Sequence, residues 1–251
     1  MALEDNVSYD VPGYDGFRQR ARDPGLSPNQ RSGFPDALRA GRSAAILEDI
    51  AGKLPAFERR GAKLLDIGPG CGELALHIID TCGQKDQSLT LVDSPEMLDL
   101  LPGPPHVTKV PGPFPACRCG RADWAGRFDA ILVYSVIQYV FAEGNFFGFA
   151  DSALELLGDE GALLIGDVPN SSMRKRFLAS ENGKAYHVSH YPDCPQPDAL
   201  FNTPEPGRLD DAVILGLVAR ARAAGFQAFA VPQGQDLPSA NRREDILIRR
   251  A

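Results

Sequence analysis

The chain has 251 residues, 43% hydrophobic and 24% charged, so it can bury one sizeable core and suits a single α/β domain with elaborations. A formal net charge of -7 and a pI near 5.1 weigh against polyanionic partners, and neither a nucleic acid nor a membrane surface is expected to bind. No apolar run approaches the roughly 20 residues that span a bilayer, and Met1 to Asp10 lacks the basic and apolar stretches of a signal peptide, so a cytoplasmic location is expected.

Residues 1–60 read as an N-terminal helical extension or lid. A polar opening punctuated by Pro12, Gly13, Pro24 and Gly25 gives way to Ala37, Leu38, Ala45, Ile46, Ile50 and Leu54 at mostly helical spacing, interrupted by Gly41 and Gly52. Residues 61–251 read as the main domain. Short, nearly continuous apolar runs at 63–67, 89–93, 128–134, 162–167, 227–231 and 245–248 have the pattern of strands buried on both faces. Helical patterns at 73–82, 95–101, 145–157 and 210–224 lie between them, and this alternation predicts a doubly wound α/β sheet. Two stretches, 102–115 and 170–207, read as irregular insertions, the second as part of a substrate pocket. Cys71, Cys82, Cys117, Cys119 and Cys194 are odd in number and irregularly spaced, so free thiols are expected and no metal site.

The most informative segment is Leu64-Leu65-Asp66-Ile67-Gly68-Pro69-Gly70-Cys71-Gly72-Glu73-Leu74, an apolar strand entering a glycine-rich turn and then a helix. Such turns let a ligand lie against backbone at the carboxyl end of a strand. A dinucleotide fingerprint counted from Gly68 needs its third glycine where Glu73 stands, and a carboxylate there opposes a pyrophosphate. Counted from Gly70, the third glycine falls on Ala75, and no Gly-Lys-Ser/Thr follows for a P-loop. The segment resembles motif I of the class I S-adenosylmethionine-dependent methyltransferases, with Asp66, Gly68, Gly70 and Gly72 in the motif positions. The resemblance implies that this turn, Pro69 included, holds the methionine part of the cofactor, with Asp66 near its ammonium.

A second match is Leu89-Thr90-Leu91-Val92-Asp93 followed by Ser94. In the family an acid at this place accepts hydrogen bonds from the ribose hydroxyls; Asp93 can also be read as belonging to a helix N-terminus ahead of Pro95. The resemblance continues through Phe128 to Tyr134 and through Leu156 to Ile165, covering about 62–167, and implies a Rossmann-like seven-stranded sheet whose last strand is antiparallel. It departs from the family after the third strand, where Val110-Pro111-Gly112-Pro113-Phe114-Pro115 offers no acid for the adenine amino group. Backbone at Gly112 with an apolar wall is one way to hold adenine, and Asp123 with Trp124 another, Trp124 being equally readable as core. The corner after the fourth strand adds Ser135 and Gln138 as cofactor contacts.

Methyl transfer is an in-line displacement that mainly needs alignment, and a hydroxyl acceptor gains from a general base. His187 and His190 are the candidate bases, each also readable as structural. Arg174 and Arg176, in the run Met173 to Phe177, can hold an acceptor phosphate or carboxylate, or form a solvated helical face. Tyr9 and Tyr14, with Phe17, are expected to touch substrate as a lid or to anchor the extension to the core. Gly33-Phe34-Pro35-Asp36 and Gly166-Asp167-Val168-Pro169-Asn170 resemble methyltransferases of bacterial polysaccharide and natural-product pathways. The implied reaction is S-adenosylmethionine-dependent methylation of a sugar or natural-product hydroxyl, giving S-adenosylhomocysteine, by a monomer or homodimer. N-methylation of a small molecule and a non-catalytic scaffold are the alternatives.

Overall fold

A computed structural model describes residues 13–118, 122–203 and 205–250. Four helices precede the sheet among these residues: α1 (Tyr14–Ala21), α2 (Pro28–Arg31), α3 (Asp36–Arg39) and α4 (Ser43–Lys53). Strands and helices then alternate, through β1 (Lys63–Ile67), α5 (Glu73–Gln84), β2 (Ser88–Asp93), α6 (Pro95–Leu98), β3 (Val107–Pro111) and β4 (Phe128–Tyr134). They continue with α7 (Ile137–Glu143), α8 (Phe146–Leu154), β5 (Leu157–Pro169), α9 (Ser171–Ala179), α10 (Glu181–His190), α11 (Asp211–Ala223), β6 (Gln227–Pro232) and β7 (Arg243–Arg249).

The seven strands form one sheet in the order β3-β2-β1-β4-β5-β7-β6, with β7 antiparallel to both neighbours, as the resemblance implied. Period-2 alternation splits the apolar residues between two cores. Leu65, Ile67, Ile131, Val133, Leu163 and Ile165 face α8 and α11, while Leu64, Leu132 and Leu164 face α4 and α5. On α5, Ala75, Ile78, Ile79 and Cys82 fall on one face and are buried, and Glu73 in its first turn suits the helix dipole. Burial on both sides explains why these strands read as unbroken apolar runs. No helix among the described residues is long and apolar enough to cross a membrane.

Several expectations need correction. The interruption read at Gly41 does separate α3 from α4, at φ +70°, but the one read at Gly52 lies inside α4. The insertion at 102–115 contains β3, an edge strand with only Val110 fully buried, so it lacks an apolar run. The helix over 145–157 ends at Leu154, and β5 begins already at Leu157, well before 162. The insertion at 170–207 carries α9 and α10, whose polar sequences hide them. They are started by side chains instead: Asn170 accepts the Ser172 and Met173 N–H groups, and Ser180 accepts that of Gly183.

Candidate functional site

The turn after β1 holds Gly68 at φ +77° and Gly70 at φ +62°, a region that L side chains rarely enter. A Cβ on Gly68 would lie 2.5 Å from Val136 Cγ2, and one on Gly70 would lie 2.6 Å from Ser32 Oγ. The glycines therefore admit protein neighbours: the corner after β4, and the N-terminal extension, whose Ser32 Oγ accepts the Cys71 N–H at 3.0 Å. The same turn is tied to β2, because the Gly70 N–H donates to Asp93 Oδ2 at 3.0 Å and the Ser94 N–H to Oδ1 at 2.6 Å. Burial pushes the Asp93 carboxyl up to about 6, although both N–H groups favour its charge. Gly112, at φ +127°, donates its N–H to the Asp93 carbonyl at 2.9 Å and so sets the loop after β3 beside the acid.

These residues border one cavity of about 640 Å³. Gly68, Pro69, Gly70, Gly72, Asp93 and Gly112 line it from the ends of β1, β2 and β3; Tyr134, Ser135 and Val136 line it from β4. The extension closes another side with Tyr14, Phe17, Asn29, Ser32, Phe34 and Arg39. Phe114, edge-on to Phe149 at 5.0 Å between centroids, supplies an apolar wall near Gly112, where no acid was found. Helix α1 is held across the cavity at three places. Phe17 packs edge-on against Tyr139 at 4.9 Å, Arg18 and Arg22 grip Glu96, and the Tyr14 N–H donates to Glu143 at 3.3 Å.

Three expected contacts lie outside this lining. Asp66 is 3% exposed, and burial, reinforced by the Asp93 charge, pushes its carboxyl up to about 8. Ser94 is buried and caps α6 by accepting the Met97 N–H. Gln138 donates to the Ser135 carbonyl at 2.8 Å, and its Oε1 is buried without a partner. Trp124 is core, edge-on to Phe128, and Asp123 pairs with Arg127 at 2.8 Å.

Behind Arg39 and Ser135 of the lining stands a polar cluster that the sequence did not disclose. Asp167, at φ +58° in the bulge of β5, accepts on Oδ2 from Arg39 at 2.5 Å, Ser135 at 2.5 Å and Arg243 at 2.8 Å. Burial alone would raise this carboxyl, but Arg243 and Arg39 hold it below the ordinary carboxylate range. Its N–H donates to Asp245, which is itself paired with Lys53 at 2.7 Å. Arg39 and Asp167 are separated by 128 positions, so no local pattern could couple them.

The proposed bases sit elsewhere. His187 is 4% exposed and bonds through Nε2 to the Pro195 carbonyl at 3.1 Å, and His190 stacks on Tyr186 at 3.9 Å; neither lines the cavity. Arg176 pairs with Asp211 at 2.6 Å, and neither it nor Arg174, also on α9, lines the cavity. Tyr14 does line it, with its hydroxyl pushed up to about 12, chiefly by burial. Tyr9 and Cys119 lie outside the described residues, and Cys71, Cys82 and Cys194 are free thiols.

No protein-family model matches the chain, and no curated protein matches it by sequence. Its structure is similar to that of the plantazolicin methyltransferase BpumL in complex with SAH, with 15% identity, 94% of this chain and 95% of that one covered, and a TM-score of 0.56. The plantazolicin methyltransferase BamL gives 14% identity over 84% of this chain and 85% of that one, at 0.54. The CurJ carbon methyltransferase gives 14% over 90% and 61%, at 0.51. At such identities the likeness is one of fold. The chain has the seven-stranded Rossmann-like fold of class I S-adenosylmethionine-dependent methyltransferases.

Proposed function

We propose that the chain transfers a methyl group from S-adenosylmethionine to a hydroxyl of a small molecule, releasing S-adenosylhomocysteine. The observation that carries this reading is a single cavity that joins Asp93 and the glycine turn to the aromatic and polar groups beyond β4. Its size lies within the roughly 300–1,000 Å³ of small-molecule sites. The residues fit the cofactor. A carboxylate has about four lone-pair sites, and Asp93 gives two to backbone N–H groups, leaving acceptors for a vicinal diol.

When bound, the cofactor supplies an electrophilic methyl on a sulfonium. Asp93 and the backbone at Gly112 hold the nucleoside, and Phe114 excludes water from its apolar face. Ser135 and Arg39 line the same cavity from β4 and the N-terminal extension. Glu143 of α7 lines the cavity and, in place of either histidine, is the group set to take the acceptor's proton. The aromatic lining suits a natural-product intermediate with an apolar body better than a bare sugar. BpumL and BamL are plantazolicin methyltransferases by name, which supports the same broad class.

Calorimetric titration with S-adenosylmethionine, S-adenosylhomocysteine and NAD tests the cofactor. Both S-adenosyl ligands are expected to saturate and NAD to give no heat, and Asp93→Ala is expected to weaken them by at least about tenfold, the worth of one charge-assisted hydrogen bond. Absence of binding by either S-adenosyl ligand would leave only the fold and favour a scaffold.

A further inference from the structure

Residues 13–40 and the helix that follows them are held to the sheet in different ways. Ile46 and Ile50 of α4, with Leu54 after it, are fully buried in the core that α4 shares with α5. Of residues 13–40 only Ala21 and Asn29 are buried, and α3 buries nothing. The three short helices are tied to one another instead. Asp36 of α3 accepts the Ser27 hydroxyl at 2.8 Å and the Asn29 amide at 3.1 Å, and Arg20 of α1 donates to the Gln30 carbonyl of α2 at 3.1 Å. A segment with few buried apolar groups and bonds of its own opens at low cost and as a unit.

The joint between the two parts is Gly41. It is exposed, stands at φ +70°, and a Cβ there would meet nothing within 4 Å. Its N–H donates to Glu73 Oε2 at 2.9 Å, on the surface. A glycine in open space absorbs the dihedral change of a hinge without a clash.

Beyond this joint the segment is seated on the turn against which a ligand would lie. Cβ atoms on Gly70 and Gly72 would stand 2.6 Å from Ser32 Oγ and 3.0 Å from Asn29 Oδ1. The other attachments are ion pairs and one aromatic edge: Arg18 and Arg22 with Glu96, Arg39 with Asp167, and Phe17 with Tyr139. Asp167 keeps Arg243 when Arg39 leaves, so opening strands no buried carboxylate.

Resting on the reading of this cavity as an S-adenosylmethionine site, we propose that residues 13–40 are a cap that opens as one body about Gly41, and that cofactor and product pass the glycine turn only while the cap is off it. Helix α4 stays with the core, and release of S-adenosylhomocysteine waits on the opening.

Two measurements test this. Hydrogen exchange followed by mass spectrometry should show the amides of α1, α2 and α3 exchanging together and faster than those of α4, with S-adenosylhomocysteine slowing all three. The second is a latch. Ser32→Cys sets a thiol beside Cys71, whose Sγ lies 3.8 Å from Ser32 Oγ. Diamide takes up the two electrons and two protons released as the S–S bond forms, and dithiothreitol returns them. Oxidised while empty, the variant should fail to bind S-adenosylhomocysteine; oxidised after loading, it should release that ligand at least about tenfold more slowly than when reduced. Dithiothreitol should reverse both effects, and wild type given the same treatment sets the baseline for the remaining thiols. Equal release from oxidised and reduced variant overturns the proposal, as do cap helices that exchange independently or α4 amides that exchange with them. A Ser32→Cys variant that keeps both thiols under diamide places Ser32 off the turn and overturns it too. If the wild type binds no S-adenosylhomocysteine, the cofactor reading fails by itself, and exchange in the free protein still decides whether residues 13–40 open as one body.

Discussion

Asp93 ends β2 and Asp167 sits in the bulge of β5 in the same sheet, yet their neighbours set them apart. Asp93 meets only backbone N–H groups and is raised to about 6 by burial; Asp167 meets two guanidiniums and stays ionised. The histidines make the complementary point, since residue type suggested bases and surroundings assign them other work. His187 of α10 is buried and bonded to the Pro195 carbonyl beyond the helix, so His187→Ala is expected to lower stability by about 1–3 kcal/mol in thermal unfolding with no change in S-adenosylhomocysteine affinity. His190→Ala should be silent in both measurements. A loss of cofactor affinity in either variant would return that histidine to the site.

At the scale of elements, α1 acts as a strap over the cavity. A Cβ on Gly13 would stand 1.6 Å from the Glu143 carboxyl, so glycine there lets the first turn of the helix meet its acceptor on α7. The other attachment is Glu96 of α6, whose hydrogen bonds to Arg18 hold its carboxyl down at about 2. A lowered carboxyl contributes above its unfolded value and is lost only as pH falls through the folded one, so the attachment stands throughout the neutral range. Glu96→Gln is expected to speed hydrogen exchange of the α1 amides and to raise the dissociation rate of S-adenosylhomocysteine a few-fold. Unchanged exchange in α1 would show that the aromatic contact of Phe17 with Tyr139 holds the strap by itself.

For the whole molecule, the buried acids near the turn make stability depend on pH in a definite direction. Asp66 at about 8 and Asp93 at about 6 both lie above the ordinary carboxylate value, so the folded chain holds protons that the unfolded chain has released. Their contribution is complete below about pH 4 and is lost as pH rises through the two folded values. The melting temperature of the unliganded protein is expected to fall between about pH 5 and about pH 9, and Asp66→Asn to flatten the upper part of that fall. A flat profile in the wild type would mean that Asp66 is ionised at neutral pH with a partner.

What the sequence by itself determined is what short-range physics writes into it. Buried strands show as apolar runs, the glycine turn as a pattern only a tight corner explains, and Asp93 as an acid at a strand's end, so the sheet and half of the cavity were legible. Helix α9 showed only as one reading of its basic run, a solvated helical face, and α10 not at all, because capping side chains start them and their polar composition shows little apolar periodicity. Only the tertiary structure decided that Arg39 meets Asp167, that Ser32 packs on the glycine turn, that Asp66 lies outside the cavity and that the histidines stand apart from it. Those facts depend on the direction in which chain segments far apart in sequence are brought together, and direction is set by packing two cores on one sheet, which no local window contains.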